Sequence, residues 1–252
     1  MVLEFIVIGF VIGGLVGLTG VGGASLLTPI LIFMGVQPSI AIGTDFLYNS
    51  ATKVVATYQH IRQKTVKFTL VKYMAIGSLP AAIVANVLFY TFLVNYYNEE
   101  LILDLLGFVL ITISLITFVQ IVSKKTTNRW KQKSFQEKKR VTILAGFIIG
   151  AMVGLTSVGA GSLFALFMLY FFNIKSSELV GTDITHAFLL TFITAILMAG
   201  FGNINYLLAI NLLIGSIPGT IIGSKLTLNI PPNYIRICIV VIILFSGFKL
   251  IL

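Results

Sequence analysis

Apolar residues run in long blocks along this chain, and the polar positions between them are few and clustered. Blocks fall near 3–34, 38–59, 69–93, 100–122, 141–172, 178–200, 206–227 and 234–252. A bilayer core needs about 20 residues of helix, so most of these blocks predict one membrane-spanning helix each. The blocks at 3–34 and 141–172 are too long for that. About 32 residues of straight helix reach roughly 48 Å, against a hydrocarbon core of about 30 Å. Each is also interrupted near its middle by a glycine-rich stretch. Each therefore predicts a hairpin of two short helices that enters and leaves on the same side.

The pattern is written twice. Gly17-Leu-Thr-Gly-Val-Gly-Gly-Ala-Ser25 returns as Gly154-Leu-Thr-Ser-Val-Gly-Ala-Gly-Ser162. Gly43-Thr44-Asp45 returns as Gly181-Thr182-Asp183, and Gly77-Ser78-Leu79-Pro80 as Gly215-Ser216-Ile217-Pro218. The offset stays at 137–138 residues, which marks one duplicated unit. A broken apolar segment recurring in matched halves is the pattern of a transporter with its site between the repeats. The expected organisation is a first membrane repeat at 1–122, a basic linker at 123–140 and a second repeat at 141–252.

Charge orients the halves. The linker carries eight basic residues and one acidic residue, which places it on the cytoplasmic side by the positive-inside rule. The stretch His60-Ile-Arg62-Gln-Lys64-Thr-Val-Lys67 is basic too and is expected on the same side. The loop 95–100 has no basic residue and is expected outside. The loop matching 60–67 is 200–205, which carries no charge, as opposite orientation of the second copy requires. The fold class is thus an all-α polytopic membrane protein of two four-segment repeats, inverted, each opening with a glycine-broken hairpin. Parallel repeats with one tilted crossing per opening block are the alternative.

Composition agrees. The chain is 58% hydrophobic and 10% charged, more apolar surface than a soluble domain of this length can hide. The N-terminus has no basic region or clear cleavage site, so no removable signal peptide is expected. The single cysteine, Cys238, lies in the last apolar block and reads as buried packing.

Two constellations carry chemistry. The first is the pair of glycine-rich breaks. A helix that restarts inside the membrane presents unsatisfied N–H groups and the positive end of its dipole, which together attract an anion. Packing through small residues is the competing reading. The expected anion-binding groups are Thr19, Gly20, Gly22, Gly23 and Ser25, with Thr156, Ser157, Gly159, Gly161 and Ser162. The second constellation is Asp45, Asn49 and Lys53, four residues apart on one helix face. Lys53 suits an anionic substrate as a point charge, and Asn49 joins it as a binding residue. Asp45, Asp183 and His186 are candidates to carry a coupling proton. Either aspartate could instead be a helix cap. His186 is the only histidine expected within a span. Pro80 and Pro218 read as matched helix-shaping residues.

The segments Gly17–Pro29 and Gly154–Ser162, with the duplicated architecture and basic linker, resemble the TauE/SafE sulfite exporter family, also called the 4-toluene sulfonate uptake permease family. The resemblance covers essentially the whole chain. The family pattern has a proline after each glycine-rich segment; this chain keeps Pro29 but has Leu166 in the second copy, and Ala160 dilutes the second glycine cluster. Membership implies transport of a sulfur-containing anion such as sulfite, a sulfonate or sulfoacetate.

No nucleotide-binding motif occurs, so a secondary transporter in the plasma membrane is expected, with a proton gradient as a candidate energy source. A passive anion channel shares every site feature. An intramembrane aspartyl protease needs two carboxylates sharing a proton, which nothing here enforces. No enzymatic activity, cofactor or metal is expected. The expected partners are a small anionic substrate and the bilayer; a homodimer is compatible, and nucleic acid is not expected.

Overall fold

The computed structural model of the chain describes residues 2–19, 23–93, 99–122, 129–226 and 233–252. Residues 20–22 of the first glycine-rich segment, most of the loop at 95–100 and residues 123–128 of the basic linker lie outside the described residues. The protein is all-helical among the described residues. The first half holds α1 (Val2–Thr19), α2 (Gly23–Phe33), α3 (Pro38–Arg62), α4 (Phe68–Leu88), a π-helical turn (Phe89–Leu93) and α5 (Glu99–Val122). A short α6 (Arg129–Gln132) precedes α7 (Phe135–Thr156), α8 (Ala160–Phe171), α9 (Ser176–Gly200), α10 (Tyr206–Leu226) and α11 (Asn233–Ile251). Helix α7 thus begins within the sequence read as linker.

Among the described residues, five helices are long and apolar enough to cross a membrane: Phe68–Phe92, Glu100–Val119, Phe135–Thr156, Ser176–Gly200 and Tyr206–Leu226. The burial pattern runs opposite to that of a soluble protein. Val7, Phe10, Ile76, Val84, Phe147, Ile148, Ile210 and Ile214 point outward, while Asp45, Asn49, Lys53, Asp183 and His186 are buried. Only a hydrocarbon solvent makes that distribution favourable. Cys238 also faces outward, which corrects its reading as a buried thiol. A small apolar side chain is equally at home against lipid.

Helices pack across the two halves rather than within them. α1 lies along α10, and α4 along α7. Lipid tails are as apolar as leucine, so such contacts depend on close packing of small residues. A Cβ at Gly9, Gly13 or Gly17 would collide with the backbone of Leu212, Ser216 or Thr220, and one at Gly215, Gly219 or Gly223 with Ile6, Phe10 or Gly14. The second contact is built alike: Gly146, Gly150 and Gly154 meet Met74, Ser78 and Ala82. Residue numbers rise together in both contacts, so each pair is parallel.

The remaining contacts define direction in the same way. In α3 and α10, Thr44 meets Asn205, Thr52 meets Ser216, and Gln63 meets Ser224; these helices are parallel. In α3 and α9, Gly43 meets Met198 and Asn203, whereas His60 and Thr65 meet Gly181; these are antiparallel. Gly107 and Ile111 of α5 meet Ile251 and Gly247 of α11, again antiparallel. The α3–α4 and α9–α10 loops therefore lie at opposite ends of the bundle.

Adding a methyl group at Gly9 or Gly146 forces these backbones apart. Gly9→Ala and Gly146→Ala should each cost about 1–3 kcal/mol, the usual range for overpacking. Gly200→Ala should be near neutral, since nothing lies within 4 Å of its Cβ position. Thermal melting of the three variants in detergent measures the difference.

Candidate functional site

The repeated Gly-Thr-Asp triplet divides its labour residue by residue. Gly43 and Gly181 let the α9–α10 and α3–α4 loops, respectively, come against the helix backbone. The adjoining threonine accepts a backbone N–H from the same loop: Asn205 N donates to Thr44 Oγ1 at 3.0 Å, and Lys67 N donates to Thr182 Oγ1 at 3.0 Å. Each bond satisfies a donor at the start of the following helix, as a cap would. The Lys67 ammonium also pairs with Glu178 of α9 at 2.8 Å. The third residue, the aspartate, faces inward. Asp45 is seven residues beyond the start of α3, and Asp183 likewise on α9, so neither caps its own helix; the N-cap positions are Gln37 and Lys175.

The second break meets Asp45. Helix α7 ends at Thr156, Ser157 is left-handed at φ 62°, Gly159 is left-handed at φ 103°, and α8 starts at Ala160. Ser157 is one of only two non-glycine residues with positive φ among the described residues. Such a residue in a functional region signals strain held by its surroundings. Its hydroxyl donates to Asp45 Oδ2 at 2.5 Å, and the Asn49 amide donates to Asp45 Oδ1 at 2.6 Å. Thr28 of α2 faces the same carboxylate without completing a hydrogen bond. The carboxylate of one half is thus held by the broken helix of the other.

Lys53 lies two turns beyond Asp45 and is 3% exposed. Its ammonium has neither a hydrogen bond nor an ion pair among the described residues, although both Asp45 and Asp183 act on it through space. Beside it, Thr52 and Ser216 share a hydrogen bond of 2.6 Å, and Tyr48 donates to the Gly9 carbonyl at 3.2 Å. The polar face continues past Lys53 to Thr57 and His60, all buried. Asp45, Asn49, Lys53, Thr57 and His60 follow spacings of four, four, four and three, a single helix face. This spacing was present in the sequence, but the basic character of 60–67 drew His60 into the loop. The structure corrects that: His60 belongs to the last turn of α3 and is buried, so His186 is not the only histidine within a helix of the bundle.

On α9, His186 Nε2 lies 2.8 Å from Ser78 Oγ and its ring stacks on Phe164. Thr191, at the position matching Lys53, donates back to the Ala187 carbonyl. Thr19 and Thr156 turn their hydroxyls to Leu15 and Met152 of their own helices. Ser25 and Ser162 are buried in the first turns of α2 and α8. Gly23 opens α2 and Gly161 is the second residue of α8, while Gly20 and Gly22 lie outside the described residues. Asp45 and Asp183 stand near opposite ends of the α3–α9 contact, on the order of 20 Å apart along the helix axis, so they share no proton.

A helical bundle with apolar outer faces, enclosing a polar face that carries a buried lysine, is a multi-pass membrane protein of the transporter class. Comparison with known proteins narrows this. Residues 5–250 match the family model described as Sulfite exporter TauE/SafE, and the chain belongs to that family. It is 50% identical over 254 residues to the "Probable membrane transporter protein YjnA" of Bacillus subtilis (strain 168), which covers 100% of both chains. It is 24% identical over 266 residues to the "Probable membrane transporter protein YunE" of the same organism, covering 98% of this chain and 96% of that one. It is also 24% identical over 261 residues to the "Probable membrane transporter protein MJ0441" of Methanocaldococcus jannaschii, covering 98% and 94%. No solved structure matches the chain.

Ser157→Ala removes a donor to a buried carboxylate, an interaction worth about 1.5–3 kcal/mol when one partner is charged. The variant should lose that much stability in detergent melts. Ser157→Gly relieves the left-handed backbone and should recover part of the loss, so the deficit shared by both variants measures the hydroxyl.

Proposed function

We propose that this protein is a secondary active transporter of a small sulfur-containing anion of the sulfite, sulfonate or sulfoacetate class. The observation that carries this reading is the buried ammonium of Lys53, which makes no hydrogen bond or ion pair among the described residues. Asp45 and Asp183 act on it only through space, and a buried charge without a contacting counter-charge is costly until one joins it. A sulfur oxyanion supplies both the charge and several acceptor oxygens. Asn49, Thr52 and Ser216 stand close by along α3 and α10, and the first turns of α2 and α8 offer helix N-termini with Ser25 and Ser162. The substrate class itself comes from the family description.

The two halves, 1–122 and 141–252, are read as inverted repeats joined by a cytoplasmic linker at 123–140, in the plasma membrane. The antiparallel α3–α9 and α5–α11 pairs favour this, as do the matched α1–α10 and α4–α7 contacts. Because α1 and α3 both run parallel to α10, α2 between them runs back, as a hairpin requires; α7, α8 and α9 repeat the arrangement through α4. Transport then exposes the Lys53 region to each side in turn. A proton gradient is the proposed energy source, with Asp45, Asp183 and His186 as candidate carriers.

Purified protein in proteoliposomes tests the site. Lys53→Met should weaken or abolish uptake of labelled sulfite and taurine, and Lys53→Arg should retain part of it. One unit charge at about 4 Å is worth roughly 4 kcal/mol at an effective dielectric near 20, which is enough to eliminate measurable affinity. Uptake that never exceeds equilibrium with the bath would instead identify a passive anion channel.

Topology has its own check. In a Cys238→Ser background, Arg62→Cys and Asn203→Cys should react with an impermeant maleimide from opposite sides of the membrane. Reaction of both from one side would refute inversion.

A further inference from the structure

The polar face of α3 ends at a histidine whose hydrogen bonds fix its tautomer. The Thr65 hydroxyl donates to the His60 carbonyl at 3.0 Å. Its proton is therefore committed, and Thr65 Oγ1 can only accept from the ring nitrogen 2.9 Å away, which makes His60 Nδ1 the donor. Nε2 is left as a lone pair. It is buried and has no hydrogen-bond partner. A buried acceptor without a donor is a costly arrangement that asks for an explanation.

The surroundings say what would fill it. The Gly17 backbone in the last turn of α1 lies close enough to act on the ring. Further unpartnered oxygens lie on the same side of α3 and on α10: Thr57 Oγ1, Gln63 Oε1 and Ser224 Oγ. Gln63 and Ser224 are already joined, the Gln63 amide donating to the Ser224 carbonyl at 3.1 Å. Gln63 Oε1 and the Nε2 lone pair can only accept, and the Thr57 and Ser224 hydroxyls can accept as well as donate, so the cluster can receive a proton.

We propose that His60 is a proton-binding site of this transporter, taking its proton on Nε2 and passing it a hydrogen bond toward the Gly17 carbonyl, immediately before the first glycine-rich break. This rests on the proton-coupled reading given above. The step is a simple proton transfer: neutral imidazole becomes imidazolium, Nδ1–H keeps its bond to Thr65, and the new Nε2–H bonds to Gly17. A proton bound at one end of α3 would thereby grip the end of α1, the helix whose continuation carries Gly23 and Ser25. Among the described residues, α3 itself brings Lys53, two turns earlier on the same face as the ring. α1 brings no titratable side chain in its last turns. α9 brings Gly181 against the ring, with Glu178 one turn earlier, held by Lys67, and Asp183 two residues later. α10 brings Ser224 and the outward-pointing Lys225, and Arg62 and Lys64 also point outward.

The chain has two histidines, so ring ¹⁵N resonances of histidine-labelled protein in nanodiscs resolve His60 directly, with His60→Asn identifying its signals. Asparagine can keep the donor to Thr65 while deleting the Nε2 lone pair. The expected result is an Nδ1–H tautomer at alkaline pH that gains a second proton on acidification while the protein stays folded. In proteoliposomes, His60→Asn should still exchange labelled sulfite at a rate within about threefold of wild type, yet lose accumulation driven by a pH gradient. An Nε2–H tautomer, or a ring that takes no second proton before unfolding, overturns the proposal. So does a titrating His60 whose Asn variant accumulates sulfite as wild type does. If wild type itself exchanges sulfite but ignores the pH gradient, proton coupling fails as a whole and this role of His60 fails with it. Melting of His60→Asn within a few degrees of wild type separates a lost proton site from a lost fold.

Discussion

A helix carrying Asp45, Asn49, Lys53, Thr57 and His60 along one face cannot present that face to hydrocarbon. Lipid offers no hydrogen bonds, so the face must be enclosed by protein. Much of the fold follows from that constraint. α9 and α10 cover α3, and the α9–α10 loop and Ser157 of the opposite half reach in near its N-terminal end. α10 is in turn held by α1, and α4, which packs on α9, by α7; these contacts lack hydrophobic driving force and so depend on glycine-lined packing.

The helix positions were legible in the sequence because hydrophobic block length is a strong signal in a bilayer. The eight apolar blocks correspond closely to the observed helices, and the two overlong blocks hold the pairs α1–α2 and α7–α8. The clustering of Asp45, Asn49 and Lys53 was legible too, since it needs only helical spacing. Three features were not. The bond between Ser157 and Asp45 joins residues 112 apart in the chain, and no local pattern encodes it. The work of Gly43 and Thr44, receiving a loop from the other half, looks from sequence like one more packing glycine and a neutral hydroxyl. His60 was hidden because a basic neighbourhood marks the end of a span, while the helix that carries it runs slightly further than the apolar signal does.

The halves share a plan but not a chemistry. Asp45 is held by Asn49 and Ser157. The matching positions around Asp183 are Ala187 and Gly20, and where the first half has Lys53 and His60 the second has Thr191 and Met198. Matched Gly-Thr-Asp triplets thus stand in different surroundings, with Lys53 and His60 both on α3.

The pairing of α1 with α10 also has a consequence for biosynthesis. The Thr220 hydroxyl bonds to the Gly13 carbonyl across 207 residues of chain. At roughly 5–20 residues per second, the ribosome needs on the order of 10–40 seconds between making these two partners. During that interval α1 sits in the membrane with its glycine groove uncovered, open to other nascent helices or to a membrane chaperone. A helix from the last fifth of the chain therefore completes the first-made helix, and a chain halted before α10 would leave that groove exposed to quality control.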